Sequence, residues 1–301
     1  MLLFYLKGSA ILNRLLILFL GIFCCSFSFS AVASQPTIKF PRIDNNVAYS
    51  MVETLPFTAA DETISYGADS MQYALLWRAK KVNKVKSIEN NLQYPLVILI
   101  HGGCWLSEYD IQHTYALSTE LAQEGFNVWS LEYRRTGDIG GGWPSTYDDI
   151  KTGILASASY NSGEFDLANS VLVGHSAGVH LALLAGGEIN QLKAVFGLAA
   201  ITDVEEYAAG TNDCQKVTQN FMQGMPLDKP TEYHMANPSK QLLHIDTVIL
   251  QGDKDDVVPA FNLDKLERKV IILDGAGHFD WIHPGSVAFN TLTQHLNGLA
   301  K

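Results

Sequence analysis

Gly174-His175-Ser176-Ala177-Gly178 sets a serine between two glycines, directly after the apolar run 170–173 and before a stretch of helical character. Strand, sharp turn and helix in that order lift a serine hydroxyl above a sheet edge, where it can attack a carbonyl carbon. The residues two before and two after must be small, because the turn brings their backbones together. A serine hydroxyl is a weak nucleophile until a base takes its proton. Among nine histidines, His175 and His180 lie beside the turn and are expected to face away from the hydroxyl. His278 follows the apolar run 270–273 in Gly275-Ala276-Gly277-His278-Phe279-Asp280, a glycine-rich loop able to reach the serine. His283, five residues on and beside Pro284, is the rival base and is expected instead to cap the last helix.

The base needs a carboxylate to fix its tautomer and stabilise the imidazolium. The run ending at Gln251 opens into Gly252-Asp253-Lys254-Asp255-Asp256-Val257-Val258-Pro259. Asp255 is far enough into this loop to turn toward His278, whereas Asp253 and Asp256 suit capping of the turn and the following helix. The tetrahedral oxyanion needs donors already in place. The Ala177 amide is one, and His101-Gly102-Gly103-Cys104-Trp105 supplies the other from the Gly102, Gly103 and Cys104 backbone. Cys104 as a second nucleophile lacks a strand-turn-helix elbow to present it. Trp105, Trp143 and Trp281 either line an apolar acyl pocket or serve as ordinary core aromatics. Arg134 and Asp149 are expected to form a salt bridge pinning the loop 140–144. The chemistry requires no cofactor and no metal.

These residues must be positioned by alternating elements. Apolar runs at 73–77, 94–100, 126–133, 170–173, 192–198, 244–251 and 270–273 read as strands. Segment 94–100 is apolar throughout, as a strand covered on both faces is. Helical spacing predicts helices at 111–125, 147–160, from 176 to 184 and at 287–299. The alternation implies a mostly parallel sheet with helices on both faces, whose ligands bind beyond the carboxyl ends of the strands. Residues 36–60 are irregular and punctuated by proline, suiting a strap across the fold. The long polar stretch 204–243 interrupts the rhythm and reads as a small lid within one α/β domain spanning 34–301.

The first 33 residues have the form of a secretory leader: Lys7 and Arg14, an apolar core at 15–23, and Ala31-Val32-Ala33 before Ser34. The apolar core is short for a bilayer span, so export without stable membrane insertion is expected. Phe23 before Cys24 argues against a lipoprotein cut there. Cleavage would leave 19 basic and 31 acidic side chains, about −12, a charge that repels nucleic acid. Cys104 and Cys214 would be the remaining cysteines. They suit neither a disulfide framework nor a zinc site, though in an exported chain the two could pair.

Taken together, Gly174 to Gly178, His101-Gly102-Gly103, the run 252–259 and Gly277-His278-Phe279-Asp280 resemble the α/β-hydrolase superfamily. Tyr133-Arg134-Arg135 and Gly140-Gly141-Gly142-Trp143-Pro144, with Asp149 following, are similar to its esterase branch of kynurenine formamidase-like and feruloyl esterase-like enzymes. The resemblance covers residues 70–300. It implies an eight-stranded sheet, a triad of Ser176, Asp255 and His278, and an oxyanion loop at Gly102 and Gly103. Cys104 stands where formamidases of this branch usually carry tyrosine, and those formamidases are generally cytosolic. The expected activity is therefore carboxylic ester hydrolysis through an acyl-enzyme on a small-molecule substrate. An arylformamidase or other amide hydrolase is the nearest alternative. A peptidase of the prolyl oligopeptidase type would need a propeller for which the chain is too short. A non-catalytic binding protein would be expected to lack a triad member.

Overall fold

Strand β3, Leu96–Ile100, is the centre of the molecule, and all five of its side chains are buried. Alternate side chains enter different cores: Leu96, Ile98 and Ile100 pack on one face, Val97 and Leu99 on the other. A strand covered twice has no polar face to show, which explains its unbroken apolar run. The computed structural model describes residues 37–80, 95–260 and 263–299. The leader and Tyr94 lie outside the described residues.

Eight strands form one sheet in the order β1-β2-β4-β3-β5-β6-β7-β8. They are β1 Glu62–Ser65, β2 Tyr73–Trp77, β3, β4 Asn127–Leu131, β5 Ser170–His175, β6 Ala194–Leu198, β7 Thr247–Gly252 and β8 Lys269–Leu273. The pairs β1–β2 and β2–β4 are antiparallel; every other pair is parallel. Seven strands were legible as apolar runs. The eighth, β1, is an edge strand with three of four residues exposed, so it carries no hydrophobic pattern.

Helices α1 Tyr49–Glu53, α2 Tyr115–Gln123, α3 Ser145–Ser159, α4 Ala177–Glu188 and α8 Val287–Asn297 flank the sheet. Residues of α3 and α4 join one core, those of α2 and α8 the other. The chain passes from β3 to β4 on one side and then to β5 on the other. That reversal opens a crevice at the carboxyl ends of β3 and β5, the place where such sheets bind ligands. Between β6 and β7 the stretch expected as a lid forms α5 Val204–Ala208, α6 Asp213–Met222 and α7 Pro230–Ala236. Asn212 and Gln215 close a reciprocal capping box at the start of α6.

Candidate active site

Ser176 sits between β5 and α4 with φ 55° and ψ −123°, a backbone state that an L-residue holds only when its surroundings enforce it. The enforcement is steric. A Cβ on Gly174 would lie 2.5 Å from the Gly178 carbonyl oxygen, and one on Gly178 only 2.3 Å from that of Ile100. Both glycines are therefore required by the tight crossing of β3, the turn and α4. Gly102 also touches the turn: a Cβ there would stand 2.9 Å from Ser176 Cβ.

His278 Nδ1 lies 2.8 Å from Asp255 Oδ2 and 3.0 Å from Oδ1. Asp255 is held by further donors. The Val257 and Val258 amides bond Oδ1 at 3.0 and 2.8 Å, and Gln251 Nε2 bonds Oδ2 at 3.1 Å. Gln251 is itself fixed, accepting from the Ala200 amide at 2.8 Å and donating to the Val258 carbonyl at 2.9 Å. The histidine loop is joined to the serine turn through His175, whose Nε2 donates to the His278 carbonyl at 3.0 Å. Ser176, Asp255 and His278 are all buried. Burial and the neighbouring His278 hold the His175 imidazole well below its ordinary pKa, so it stays neutral.

The other aspartates do different work. Asp253 accepts from the Gly275 amide and pairs with Lys254. The Asp256 carbonyl takes a bond from Asn212 of the inserted helices. His283 accepts from the Gly285 amide. The expectation that it caps the last helix is corrected: Ser286 is the N-cap of α8, its hydroxyl accepting from the Phe289 amide.

The loop after β3 holds three successive residues in the left-handed region, Gly103, Cys104 and Trp105, at φ 102°, 51° and 58°. It is supported from beneath by a buried pair that the residue patterns did not single out. His101 Nδ1 faces the Gly102 carbonyl at 2.8 Å, and its Nε2 lies 3.0 Å from Glu132. Burial desolvates Glu132, but His101, Arg135 and the Tyr133 amide outweigh that and hold its carboxyl below the ordinary value. A planar trans peptide points its carbonyl and amide in opposite directions. With the Gly102 carbonyl turned down onto His101, the amide of Gly103 in the same peptide unit is aimed the other way. No spacing or motif in the sequence marks His101 and Glu132 as partners.

Cys104 is bonded to Cys214 of α6, joining the loop after β3 to the inserted helices. Trp105 is fully buried and stacks on Phe221 of α6, centroids 4.7 Å apart. Trp281 is fully buried in the α2/α8 core. Both take the core alternative, since a wholly enclosed indole lines no open pocket. Trp143 stacks on Tyr147 at 5.5 Å and is 7% exposed. The Arg134–Asp149 bridge forms with two contacts of 2.6 and 2.8 Å, and Thr146 links it to the loop through the Arg134 carbonyl and the Gly142 amide.

A family model described as BD-FAE matches residues 85–270. Esterase LipC of Mycobacterium tuberculosis is 32% identical over 124 residues, 41% of this chain but only 28% of that protein's length. Among solved structures, Esterase B from Lactobacillus Rhamnosis is 18% identical with TM-score 0.64, covering 83% of this chain and 90% of the other. A truncated carbohydrate esterase from gut microbiota is also 18% identical, with TM-score 0.62 and coverage of 87% and 99%. These structural likenesses are of fold, the α/β-hydrolase sheet and its flanking helices.

Proposed function

We propose that this chain, which belongs to the BD-FAE family of α/β-hydrolases, is an exported carboxylic ester hydrolase working through an acyl-enzyme on Ser176. The observation that carries the reading is the approach of three distant segments to one sheet rim: the strained serine turn, and the Asp255–His278 pair bonded to it through His175. Asp255 accepts the Nδ1 proton of His278, which leaves Nε2 bare as the base. As Ser176 Oγ bonds to the ester carbonyl carbon, its proton passes to His278. The carbonyl oxygen becomes an oxyanion, met by the amides of Ala177 and of the 102–104 loop. When the tetrahedral intermediate collapses, the C–O bond to the alcohol breaks and His278 returns the proton to the alkoxide. Water, deprotonated by the same imidazole, then attacks the acyl carbon and the proton returns to Ser176.

The names of the relatives, an esterase and a carbohydrate esterase, favour an ester over an amide. Labelling with a fluorophosphonate tests the nucleophile: wild type should label and Ser176→Ala should not, with the circular dichroism spectrum unchanged. Persistent labelling of the variant removes the assignment. Hydrolysis of N-formylkynurenine in preference to p-nitrophenyl acetate would move the activity to the amide class.

Export is supported by the leader pattern of residues 1–33 and by the Cys104–Cys214 bond, a linkage that persists in oxidising compartments. The exported protein should begin at Ser34 on amino-terminal sequencing and show no titratable thiol in denaturant. A full-length chain with two or more free thiols would contradict this.

A further inference from the structure

The strap of residues 37–60 is bonded to the histidine loop at successive points. The Asn46 and Val47 amides donate to the two oxygens of Asp280, each at 2.9 Å. Asp280 also accepts from the Gly277 amide at 3.0 Å, the residue before His278. Ile43 donates to the Gly285 carbonyl and Asn45 to that of Asp274. Asp280 is fully buried, and its three partners are all donors. Val47, within this clasp, and Val52, beyond it, are both buried.

The clasp places one strap side chain against both flanks of the candidate site. The half-buried Tyr49 ring lies 5.3 Å from Phe279 and 5.8 Å from Tyr109, centroid to centroid. Phe279 meets the His278 ring edge-on at 4.8 Å. Tyr109 packs on the oxyanion loop, where a Cβ on Gly103 would stand 2.4 Å from Tyr109 Cβ. Nδ1 of His278 is occupied by Asp255, so the proton for the departing alcohol leaves from the opposite nitrogen. The alcohol must therefore sit beside His278, whose ring Phe279 meets.

We propose that the amino-terminal strap is a wall of the active site, with Tyr49, held in place by the Asp280 clasp, determining which leaving-group alcohols the enzyme accepts. This rests on the Ser176–His278 reading above. Tyr49 is the specificity-determining residue; Asp280 is a positioning residue, acting through the strap and the histidine loop.

The test keeps the acyl group constant as acetate and varies the alcohol. Every acetate forms the same acetyl-enzyme, so a step limited by deacylation is common to all. Tyr49→Ala should lower kcat/KM for 1-naphthyl acetate about tenfold and for ethyl acetate about twofold, as loss of an apolar contact does. Tyr49→Phe should restore the naphthyl rate. Equal losses on both esters, or an effect that tracks acyl length in an acetyl-to-hexanoyl series instead, would overturn the assignment. Asp280→Asn places an amide donor against donors and should lower kcat/KM about 100-fold across all esters, as a small displacement of the base does. Retention of full activity by this variant would remove the positioning role. Fluorophosphonate titration of each variant reports active Ser176 separately, so failure of the nucleophile assignment is seen as an unlabelled wild type.

Discussion

At the scale of single residues, Asp255 shows how a carboxylate is made specific to one partner. Its Oδ1 receives two backbone amides and its Oδ2 receives Gln251, whose own orientation is locked by Ala200 and Val258. An asparagine at this position would keep its oxygen on the Val257 and Val258 amides. Its NH2 would then face Gln251 Nε2 and His278 Nδ1, donor against donor. The imidazole would be driven to the other tautomer, with its proton on Nε2, the base of the proposed mechanism. Asp255→Asn should therefore lower kcat by about 10⁴-fold with KM little changed. Steady-state kinetics on p-nitrophenyl acetate check this, and a loss below tenfold would mean that another carboxylate serves His278. The choice of Asp255 over its two neighbours was legible only as a matter of reach. Gln251 was not legible at all, since a glutamine at a strand end has many ordinary uses.

Among the elements, the inserted helices α5, α6 and α7 are tied to the loop after β3, the Asp255 loop and α4. Cys214 reaches the loop after β3, Asn212 and Tyr207 bond the carbonyls of the Asp255 loop, and the Ala236 carbonyl faces His180 of α4. The disulfide closes a long stretch of chain, 110 residues in separation. Cross-linking so large a loop removes conformational freedom from the unfolded state. Replacing both cysteines with alanine should cost about 2–4 kcal/mol in urea unfolding. It should also lower kcat, because the three left-handed residues after β3, the proposed oxyanion loop, lose their anchor on α6. Unchanged stability and unchanged kcat in the double variant would show that packing of Trp105 on Phe221 holds the loop by itself.

For the molecule as a whole, acid sensitivity follows from histidines buried uncharged. Burial, with a smaller push from His101, lowers His113 to about 3, and burial lowers His180 to about 4, both from an ordinary 6.5. His175 is lowered as well, first by burial and then by His278. In the unfolded chain each takes up a proton below about pH 6.5, while the folded forms do not until far lower. The unfolded state then binds more protons, so stability present above pH 6.5 is lost as pH falls toward 4 and 3. Each group contributes up to about 1.4 kcal/mol per pH unit in that window. Glu132 adds to the loss below its ordinary 4.5, because its folded carboxyl titrates lower still. Urea midpoints at pH 7.5, 6 and 5 should decline steadily. Equal midpoints across that range would mean these imidazoles are charged or exposed in the native state.

Local patterns alone were enough to determine the alternation of strands and helices, the serine turn with its flanking glycines, and the loops at strand ends that carry Asp255 and His278. Each of these rests on residues within a few positions of one another, where sterics and periodicity act directly on the chain. Tertiary structure decided what depends on approach between distant segments. It paired Cys104 with Cys214, sent Trp105 and Trp281 to the core, and set His101 on Glu132 beneath the loop after β3. It also added an exposed edge strand with no apolar signature and clasped the strap to Asp280. Hydrogen bonds, covalent links and ring contacts act over a few ångströms, and which groups come within that range is settled only when the sheet has brought the segments together.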